Sequence, residues 1–210
     1  MPSPGQIVIL NGAPRSGKSS IAAAIQETFD GVWLNLGVDV AVLMTPPRYR
    51  PGLGLRPGGE RPDLEPLVPA LYAALYESIA AHSRAGLNVV ADVGHHDSHA
   101  SPTTILADCA PRLAGLPVLF VGVRAPIETI MERRAMVQPG REEVYLRSTK
   151  GVPVPPPVAL WQAAVHAPGI YDLEVDTSQL SPAECAERIR RALKPGVVRP
   201  TAFERLAATP

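Results

Sequence analysis

The sequence predicts a three-layer α/β fold, in which helices cover both faces of a five-stranded parallel sheet. Five short apolar segments alternate with stretches of helical periodicity along the 210 residues, as expected for strands that are buried on both faces. The first apolar segment leads directly into a glycine-rich loop and then into a helical pattern. No internal repeat and no domain boundary interrupts this order, so residues 6–193 form one predicted domain and residues 194–210 a C-terminal tail.

The first strand and the loop after it carry the most specific motif of the chain. Residues 7–10 are apolar, and residues 12–19, GAPRSGKS, match the pattern G-x-x-x-x-G-K-[ST]. Ile21, Ala24 and Ile25 then share one helical face. Strand, glycine loop and helix in this order are the context that a phosphate-binding loop (P-loop) requires, so we predict a P-loop kinase fold with a lid.

The residue types of this loop suit a nucleoside triphosphate and a magnesium ion. Gly12 and Gly17 allow tight turns that point backbone amides inward, where they and the N-terminus of the next helix attract phosphate. Lys18 can reach the β- and γ-phosphates of ATP, and the Ser19 hydroxyl can bind Mg²⁺. The predicted nucleotide-binding residues are Gly12, Ala13, Pro14, Arg15, Ser16, Gly17, Lys18, Ser19 and Ser20.

The second predicted strand, 32–36, leads to a carboxylate and then to an irregular segment. A Gly-Val-Asp sequence ends at Asp39, and the apolar residues 40–44 indicate one short helical turn. Residues 45–62 are too rich in Pro, Gly and Arg for a regular helix or a central strand. We predict that 45–62 is either a flap on the acceptor side of the site or a flexible insertion.

The middle of the chain contains a long helical pattern and a third buried strand. The helix is expected to begin after Asp63, a candidate N-cap, and to end at Gly86. The apolar residues 87–91 form the third predicted strand, which ends at Asp92. Residues 93–102 include three histidines whose spacing matches no zinc motif, so we expect an exposed polar loop at the rim of the acceptor pocket.

The second half of the chain continues the alternation of helices and strands. Its predicted elements are a helix at 103–113, a strand at 116–123, a helix at 126–136, a short helix at 158–166 and a strand at 170–175. Residues 137–157 are polar and then proline-rich, which suggests a lid. Ser181 and Glu184 have the spacing of a capping box, with Pro182 at the first helical position, so a last helix is expected to reach Leu193.

Two aspartates follow predicted strands, at the edge where parallel sheets bind ligands. Asp39 could accept the proton of a hydroxyl group that attacks the γ-phosphate, or it could instead cap the turn after it. Asp92 ends a hydrophobic strand, as the magnesium-side aspartate of P-loop proteins does, and could alternatively cap its own loop. We therefore predict Asp39 as a catalytic base, with Ser19 and Asp92 at the metal.

Arginines cluster on and beyond the helix that follows the fourth predicted strand. Phosphoryl transfer spreads negative charge over the γ-phosphate oxygens, so arginines of a lid can stabilise its transition state. Arg133 and Arg141 are predicted to do so together with Lys18, ahead of Arg134. A solvated surface position is the alternative for each arginine.

The overall composition limits the classes of partner. Lys plus Arg and Asp plus Glu number 20 each, so the formal net charge is zero, which argues against a general nucleic-acid binder. Cys109 and Cys185 have no metal or redox spacing and fit a reducing cytoplasm. The N-terminal apolar run is too short for a signal peptide or a membrane span, so no membrane association is expected.

Five segments taken together resemble the chloramphenicol 3-O-phosphotransferase family. They are, in order, VILNGAPRSGKSSI, WLNLGVD, RAGLNVVADV, LFVGVRAPIETIMERR and YDLEVDTS. The resemblance implies a nucleoside-monophosphate-kinase-like fold and phosphate transfer from ATP to a primary hydroxyl of the antibiotic. By position, Asp39 would be the general base and Arg133 would match an arginine of the family. Lys18 and Ser19 would serve ATP and Mg²⁺. Residues 45–66 are not similar, and loops set specificity on such scaffolds.

These observations leave three functional hypotheses open. The first is an ATP-dependent kinase that phosphorylates a hydroxyl of a small molecule, chloramphenicol or a related antibiotic or natural product. The second is a kinase of another metabolite or of a nucleic-acid end, although the zero net charge weakens the nucleic-acid version. The third is a nucleotide-dependent switch that has no acceptor. The first two share the chemistry of the P-loop and Asp39, and they differ only in the acceptor.

Overall fold

The computed structural model describes residues 3–58, 61–100, 103–136, 145–194 and 196–208, and its centre is a five-stranded parallel sheet. The strands are β1 Ile7–Asn11, β2 Trp33–Asn35, β3 Asn88–Val93, β4 Val118–Arg124 and β5 Leu173–Asp176. They lie in the order β2-β3-β1-β4-β5, and every neighbouring pair is parallel. This order confirms the predicted fold and places β1, with the loop after it, in the middle of the sheet.

Helices connect the strands and cover both faces of the sheet. The α-helices are α1 Lys18–Thr28, α2 Val38–Met44, α3 Val68–Arg84, α4 Ile105–Cys109, α5 Ile127–Ala135, α6 Pro156–Ala164, α7 Pro182–Leu193 and α8 Ala202–Ala207. Short 3₁₀ helices lie at Pro47–Tyr49, Gly52–Gly54, Glu65–Leu67 and Ala110–Leu113. Within the described ranges, no helix has both the length and the apolar character that a membrane span requires.

The sheet separates two apolar cores, because successive side chains of each strand point to opposite faces. In β1, Ile7 and Ile9 pack in the core that includes α3, α4 and α8. Val8 and Leu10 point to the other face, where α1 and α7 cover them. All four side chains are fully buried, which explains why β1 is continuously apolar in the sequence.

The long central helix begins later than the sequence predicts. Asp63 is the predicted N-cap, but its carboxylate forms an exposed ion pair with Arg61 at 2.7 Å instead. The chain first makes a 3₁₀ turn at Glu65–Leu67, and α3 then begins at Val68. Both segments have a proline in their first turn. Proline fits the first turn of a helix because the amide hydrogen that it lacks would have no partner within the helix there.

The predicted tail contains α8, which closes one of the two cores. Phe203 is buried and packs edge-on against Phe120 of β4, with ring centroids 4.9 Å apart. Thr201 caps α8 and forms a reciprocal capping box with Glu204. The signal for this helix is therefore present in the sequence, in the same form as the predicted capping box at Ser181 that starts α7.

Candidate active site

The loop after β1 has the tight turns and the open amides of a phosphate-binding loop. A Cβ atom at Gly12 would lie 2.4 Å from the carbonyl oxygen of Val123, so only glycine fits beside β4. Gly17 has a φ of 97° and is the N-cap of α1. The first turn of α1 has neither a side-chain cap nor an acidic residue. Its amides and its partial positive charge are therefore available to an external anion.

Lys18 lies half-buried beside this loop, in the position that the motif predicts. Its Nζ atom donates hydrogen bonds to the carbonyl oxygens of Gly12 and Ala13, at 2.8 and 3.0 Å. Burial lowers the pKa of Lys18 to about 8, and the negative charges of Asp92 and Asp39 offset only part of this shift. A polyphosphate at the loop would add negative charge and raise this pKa again.

The hydroxyl of Ser19 donates a hydrogen bond of 2.7 Å to Oδ2 of Asp92, which joins the two predicted magnesium ligands. The contact follows from strand pairing, because Leu10 of β1 lies opposite Asp92 of β3. A Cβ atom on Gly37 would lie 1.7 Å from Oδ1 of Asp92, so glycine is required there for the carboxylate to keep its place. Mg²⁺ favours oxygen ligands and usually takes one or two from the protein beside those of a phosphate. The Ser19–Asp92 pair fits such an ion.

Asp39 lies in the first turn of α2 and lines the same cavity as Lys18 and Asp92. The N-cap of α2 is Gly37, so the alternative role of Asp39 as an N-cap is wrong. No residue of α2 is buried, and Asp39 itself is exposed. An exposed carboxylate and the P-loop lysine therefore line the same cavity.

Two cavities meet at the P-loop. The loop cavity, of about 360 Å³, lies between the P-loop and the start of α7, and the flap cavity, of about 580 Å³, lies between the P-loop, α2 and the flap. The residues that line both cavities are Arg15, Lys18, Ser19 and Tyr145. Two ligands bound in the two cavities would therefore approach each other at Lys18.

Arg133 lines the loop cavity and connects the P-loop to the segment after β5. Its guanidinium donates to Oγ1 and to the carbonyl oxygen of Thr177, at 2.9 and 2.7 Å, and to the carbonyl oxygen of Arg15, at 3.2 Å. Arg15 donates to the carbonyl oxygen of Arg133 in return, and it has a φ of 75°, which is rare outside glycine. These reciprocal bonds hold the P-loop in shape, and a phosphate contact of Arg133 stays a prediction.

Arg134 is the arginine of α5 that lines the flap cavity, and its residue is only 4% exposed. Adjacent residues of a helix point about 100° apart, so Arg133 and Arg134 reach different cavities. Arg141, the other predicted arginine, lies outside the described residues, as do residues 137–144 of the predicted lid 137–157. The structure therefore places Arg134, which the sequence analysis ranked below Arg133 and Arg141, at the wall of the flap cavity.

The flap contributes three arginines to the flap cavity, Arg50, Arg56 and Arg61, which sequence patterns alone do not single out. Arg50 donates to the carbonyl oxygen of Thr45 at 2.8 Å, just beyond the end of α2. Arg61 donates to the carbonyl oxygen of Arg50 at 3.2 Å. A further bond of Arg50, to the carbonyl oxygen of Leu43 at 3.1 Å, connects the flap to α2. The sequence feature that could have indicated these three residues is the repetition of arginine in a segment rich in proline and glycine.

Two histidines after β3 contradict the prediction that residues 93–102 form an exposed loop. His95 and His96 are only 3% and 7% exposed. Nε2 of His95 lies 2.8 Å from the hydroxyl of Tyr76, and Nε2 of His96 lies 3.0 Å from the carbonyl oxygen of Leu55. Burial lowers the pKa of His95 to about 3, so this ring is neutral. Neither histidine belongs to the lining of the flap cavity. Among the described residues, no group of three or more His, Cys, Asp or Glu could hold a metal ion.

Comparisons with known proteins relate the chain to phosphotransferases. The family model described as "Chloramphenicol phosphotransferase-like protein" matches residues 5–194. A Mycobacterium tuberculosis protein named "Putative O-phosphotransferase Rv2636" is 26% identical over 216 residues, which cover 96% of this chain and 88% of that protein.

Two solved kinase structures show the same fold. The Mycobacterium tuberculosis APS kinase CysC, in complex with AMPPNP and APS, has a TM-score of 0.58 at 19% identity, with 92% of this chain and 99% of that chain covered. Shikimate kinase from Acinetobacter baumannii, in complex with shikimate, has a TM-score of 0.59 at 12% identity, with 92% and 95% covered. The fold is therefore that of the P-loop kinases.

Proposed function

The chain belongs to the chloramphenicol phosphotransferase-like family, and from this premise we propose that it transfers the γ-phosphate of ATP to a hydroxyl group of a small molecule. One observation carries the proposal: Lys18, the Ser19–Asp92 pair and Asp39 all line one cavity. A transferred phosphate, a magnesium ion and an acceptor hydroxyl each have a partner of suitable chemistry there.

The loop cavity is the proposed nucleotide site. The phosphates lie on the loop amides and the N-terminus of α1, where Lys18 exchanges its two carbonyl partners for phosphate oxygens. Leu180 and Pro182 add apolar surface for the base of the nucleotide. Ser19 and Asp92 would hold Mg²⁺, which supplies positive charge to the β- and γ-phosphates when bound.

Asp39 is the proposed base on the acceptor side. The acceptor oxygen forms a bond to the γ-phosphorus, the bond from this phosphorus to the β–γ bridging oxygen breaks, and the hydroxyl proton passes to Asp39. ADP leaves with the electron pair of the broken bond. Lys18 stabilises the negative charge of the transferring group, and Arg133 acts by holding the P-loop. Arg141 remains a proposed lid arginine.

The flap cavity is the proposed acceptor site, and its volume of about 580 Å³ suits a small hydroxylated molecule. Val38, Val42 and Trp161 supply apolar surface for the carbon skeleton. Chloramphenicol or a related antibiotic is the acceptor that family membership suggests, and its phosphorylation would give resistance. Another metabolite is the alternative. Cys109 and Cys185 are buried and free, in keeping with the reducing cytoplasm that we propose as the location.

An acceptor screen tests this function. Purified protein and Mg-ATP are incubated with a panel of hydroxylated antibiotics, including chloramphenicol, and of hydroxylated metabolites, and mass spectrometry records the gain of one phosphate. We expect at least one phosphorylated product, formed together with one equivalent of ADP. A protein that binds nucleotide, phosphorylates no member of the panel and hydrolyses ATP only when a partner protein is added would instead be a nucleotide-dependent switch.

A further inference from the structure

Five of the described arginines line the flap cavity, and three of them come from different elements: Arg134 from α5, Arg56 from the flap and Arg15 from the P-loop. Arg134 is 4% exposed, and its Nε atom has no hydrogen-bond partner in the described part of the chain. Its Nη1 atom donates to the carbonyl oxygen of Leu146 at a long distance of 3.4 Å. A buried guanidinium carries five N–H donors and is costly unless they are satisfied, so Arg134 is suited to bind a group rich in acceptors.

Among the described residues, the charged side chains that act most strongly on Arg134 have its own sign. Burial, and then the positive charges of Arg56 and Arg15, lower the pKa of Arg134 to about 10, against the opposing effect of Tyr145. The Cζ atoms of Arg15 and Arg134 lie 5.0 and 5.6 Å from the centre of the Tyr145 ring. A cation–π contact offsets only a small part of such repulsion. An oxyanion bound between the guanidinium groups would compensate the repulsion between these positive charges.

Among the described residues that line the flap cavity, basic side chains outnumber acidic ones. The basic ones are Arg15, Lys18, Arg50, Arg56, Arg61 and Arg134, and the acidic ones are Asp39 and Asp92.

These bases differ in what they can bind. Arg15 and Lys18 also line the loop cavity, so they are available to the phosphates of the nucleotide. Arg50 and Arg61 donate to backbone carbonyl oxygens of the flap region. Arg50, Arg56, Arg61 and Arg134 all line the flap cavity but not the loop cavity, and all four are therefore on the acceptor side. Among them Arg134 is the buried one, and Arg56 is the one whose charge acts most strongly on Arg134.

We propose that Arg134 and Arg56 form a subsite for an oxyanion, a carboxylate or a phosphate, that the acceptor molecule itself carries. The inference rests on the proposed function and narrows its substrate class. The natural acceptor is a small hydroxylated acid or phosphate ester, and neutral alcohols such as chloramphenicol are poorer substrates. The planar fork of a guanidinium binds two oxygens of such a group at once. Anchoring the anion there leaves the rest of the acceptor beside Asp39, which lines the same cavity.

Anion binding to the nucleotide-loaded protein tests this subsite without knowledge of the acceptor. Protein saturated with Mg-AMP-PNP has its P-loop filled, so calorimetric titration with sodium sulfate at constant ionic strength reports anion sites elsewhere. We expect the loaded wild-type protein to bind sulfate, and Arg134→Gln and Arg56→Gln each to weaken this binding about tenfold or more. Arg188→Gln is the matched control, because Arg188 is exposed on α7 and lines neither cavity.

Two results of this titration would overturn the subsite. If the loaded wild-type protein binds no sulfate, any anion site of the free protein is the P-loop itself. If Arg134→Gln and Arg56→Gln weaken Mg-AMP-PNP binding as much as sulfate binding, both arginines serve the γ-phosphate. Arg56 is only half-buried, so Arg56→Gln keeps the test decisive even if Arg134→Gln does not fold.

Matched acceptors separate a failure of this inference from a failure of the proposed function. Each hydroxylated acid of a panel is paired with its neutral carboxamide, and kcat/KM is measured for both. We expect the wild-type protein to prefer the acids about tenfold or more, and Arg56→Gln to lose this preference because kcat/KM for the acids falls. Amides or chloramphenicol that react as fast as the acids would overturn the anionic subsite and leave the phosphotransferase function intact. If no acceptor reacts, the proposed function fails, while the sulfate titration still decides whether the subsite exists.

Discussion

The two sides of the site are built in different ways. On the P-loop side, β1 is buried along its whole length, and Lys18, Ser19 and Arg133 each make short hydrogen bonds to their neighbours. On the acceptor side, α2 has no buried residue, and the flap contains 3₁₀ turns at Pro47–Tyr49 and Gly52–Gly54. Arg50 and Arg61 donate hydrogen bonds to backbone carbonyl oxygens of the flap. One side is thus built on a fully buried strand, and the other on a helix with no buried residue and on a flap that Leu53 and Leu55 anchor in the core.

This difference indicates a division of tasks. Phosphoryl transfer needs the same geometry for every acceptor, and a strand–loop–helix unit in the core can hold it. Acceptor recognition differs between relatives, and surface loops can change without loss of the core. Substitutions on the P-loop side should therefore slow the reaction with all acceptors, whereas substitutions in the flap should change KM for the acceptor.

Gly37→Ala should give a large loss, because Gly37 lies where the two sides touch. The new Cβ atom would lie 1.7 Å from Oδ1 of Asp92, so the carboxylate would have to leave Ser19. We expect kcat to fall about 100-fold with every acceptor, and the Mg²⁺ concentration for half-maximal rate to rise. Phosphorylation rates over a Mg²⁺ titration measure both. Asp92→Asn should raise the Mg²⁺ concentration for half-maximal rate in the same way as Gly37→Ala. If this concentration equals that of the wild type in both variants, Asp92 is not part of the metal site.

Nucleotide affinity should depend on pH through Lys18, with a smaller effect. The pKa of Lys18 is about 8 in the nucleotide-free protein, and phosphate binds the protonated form more tightly. Binding therefore takes up a proton above pH 8, and Kd for Mg-AMP-PNP should rise about tenfold from pH 7 to pH 9. Calorimetry in buffers of different ionisation enthalpy measures this proton uptake. Lys18→Met should abolish it, and a Kd that is constant with pH in the wild type would contradict the lowered pKa.

Arg61→Gln should have the smallest effect and should separate the two sides most clearly. Arg61 joins two parts of the flap by donating a hydrogen bond to the carbonyl oxygen of Arg50. Its ion pair with Asp63 is exposed and therefore contributes little to stability. We expect KM for the acceptor to rise roughly threefold while Kd for Mg-AMP-PNP stays constant. Arg191→Gln, which removes an exposed ion pair with Glu187 on α7, is the control. An equal change in both constants would show that the flap and the P-loop do not act separately.

Much of the P-loop side could be predicted from the sequence because its signals are local. The glycine motif lies between a strand and a helix, and parallel strands end at the same edge, so Ser19 and Asp92 could be placed together before their hydrogen bond was seen. The close approach of Gly37 to Asp92 was not predictable, since it depends on how α2 packs beside β3.

The remaining features depend on contacts between residues that are far apart in the chain. His95 has the sequence context of a polar loop, yet it is buried because Asn11 accepts its backbone N–H and Tyr76 lies beside its ring. Arg133 and Arg134 are neighbours, so only the packing of α5 decides which cavity each one lines. Composition indicated a flap, but the bonds of its arginines follow from turns that no short pattern encodes.

Asp39→Asn, assayed for both acceptor phosphorylation and nucleotide affinity, tests the proposed chemistry most directly. We expect the rate of phosphate transfer to fall about 1000-fold, because an amide cannot accept the hydroxyl proton. Kd for Mg-AMP-PNP should change little, because Asp39 lines the flap cavity and not the loop cavity. Asp30→Asn, at an exposed aspartate before β2, should retain both the rate and the affinity. A rate in Asp39→Asn that remains close to that of the wild type would contradict the role of Asp39 as the base and the assignment of the flap cavity to the acceptor.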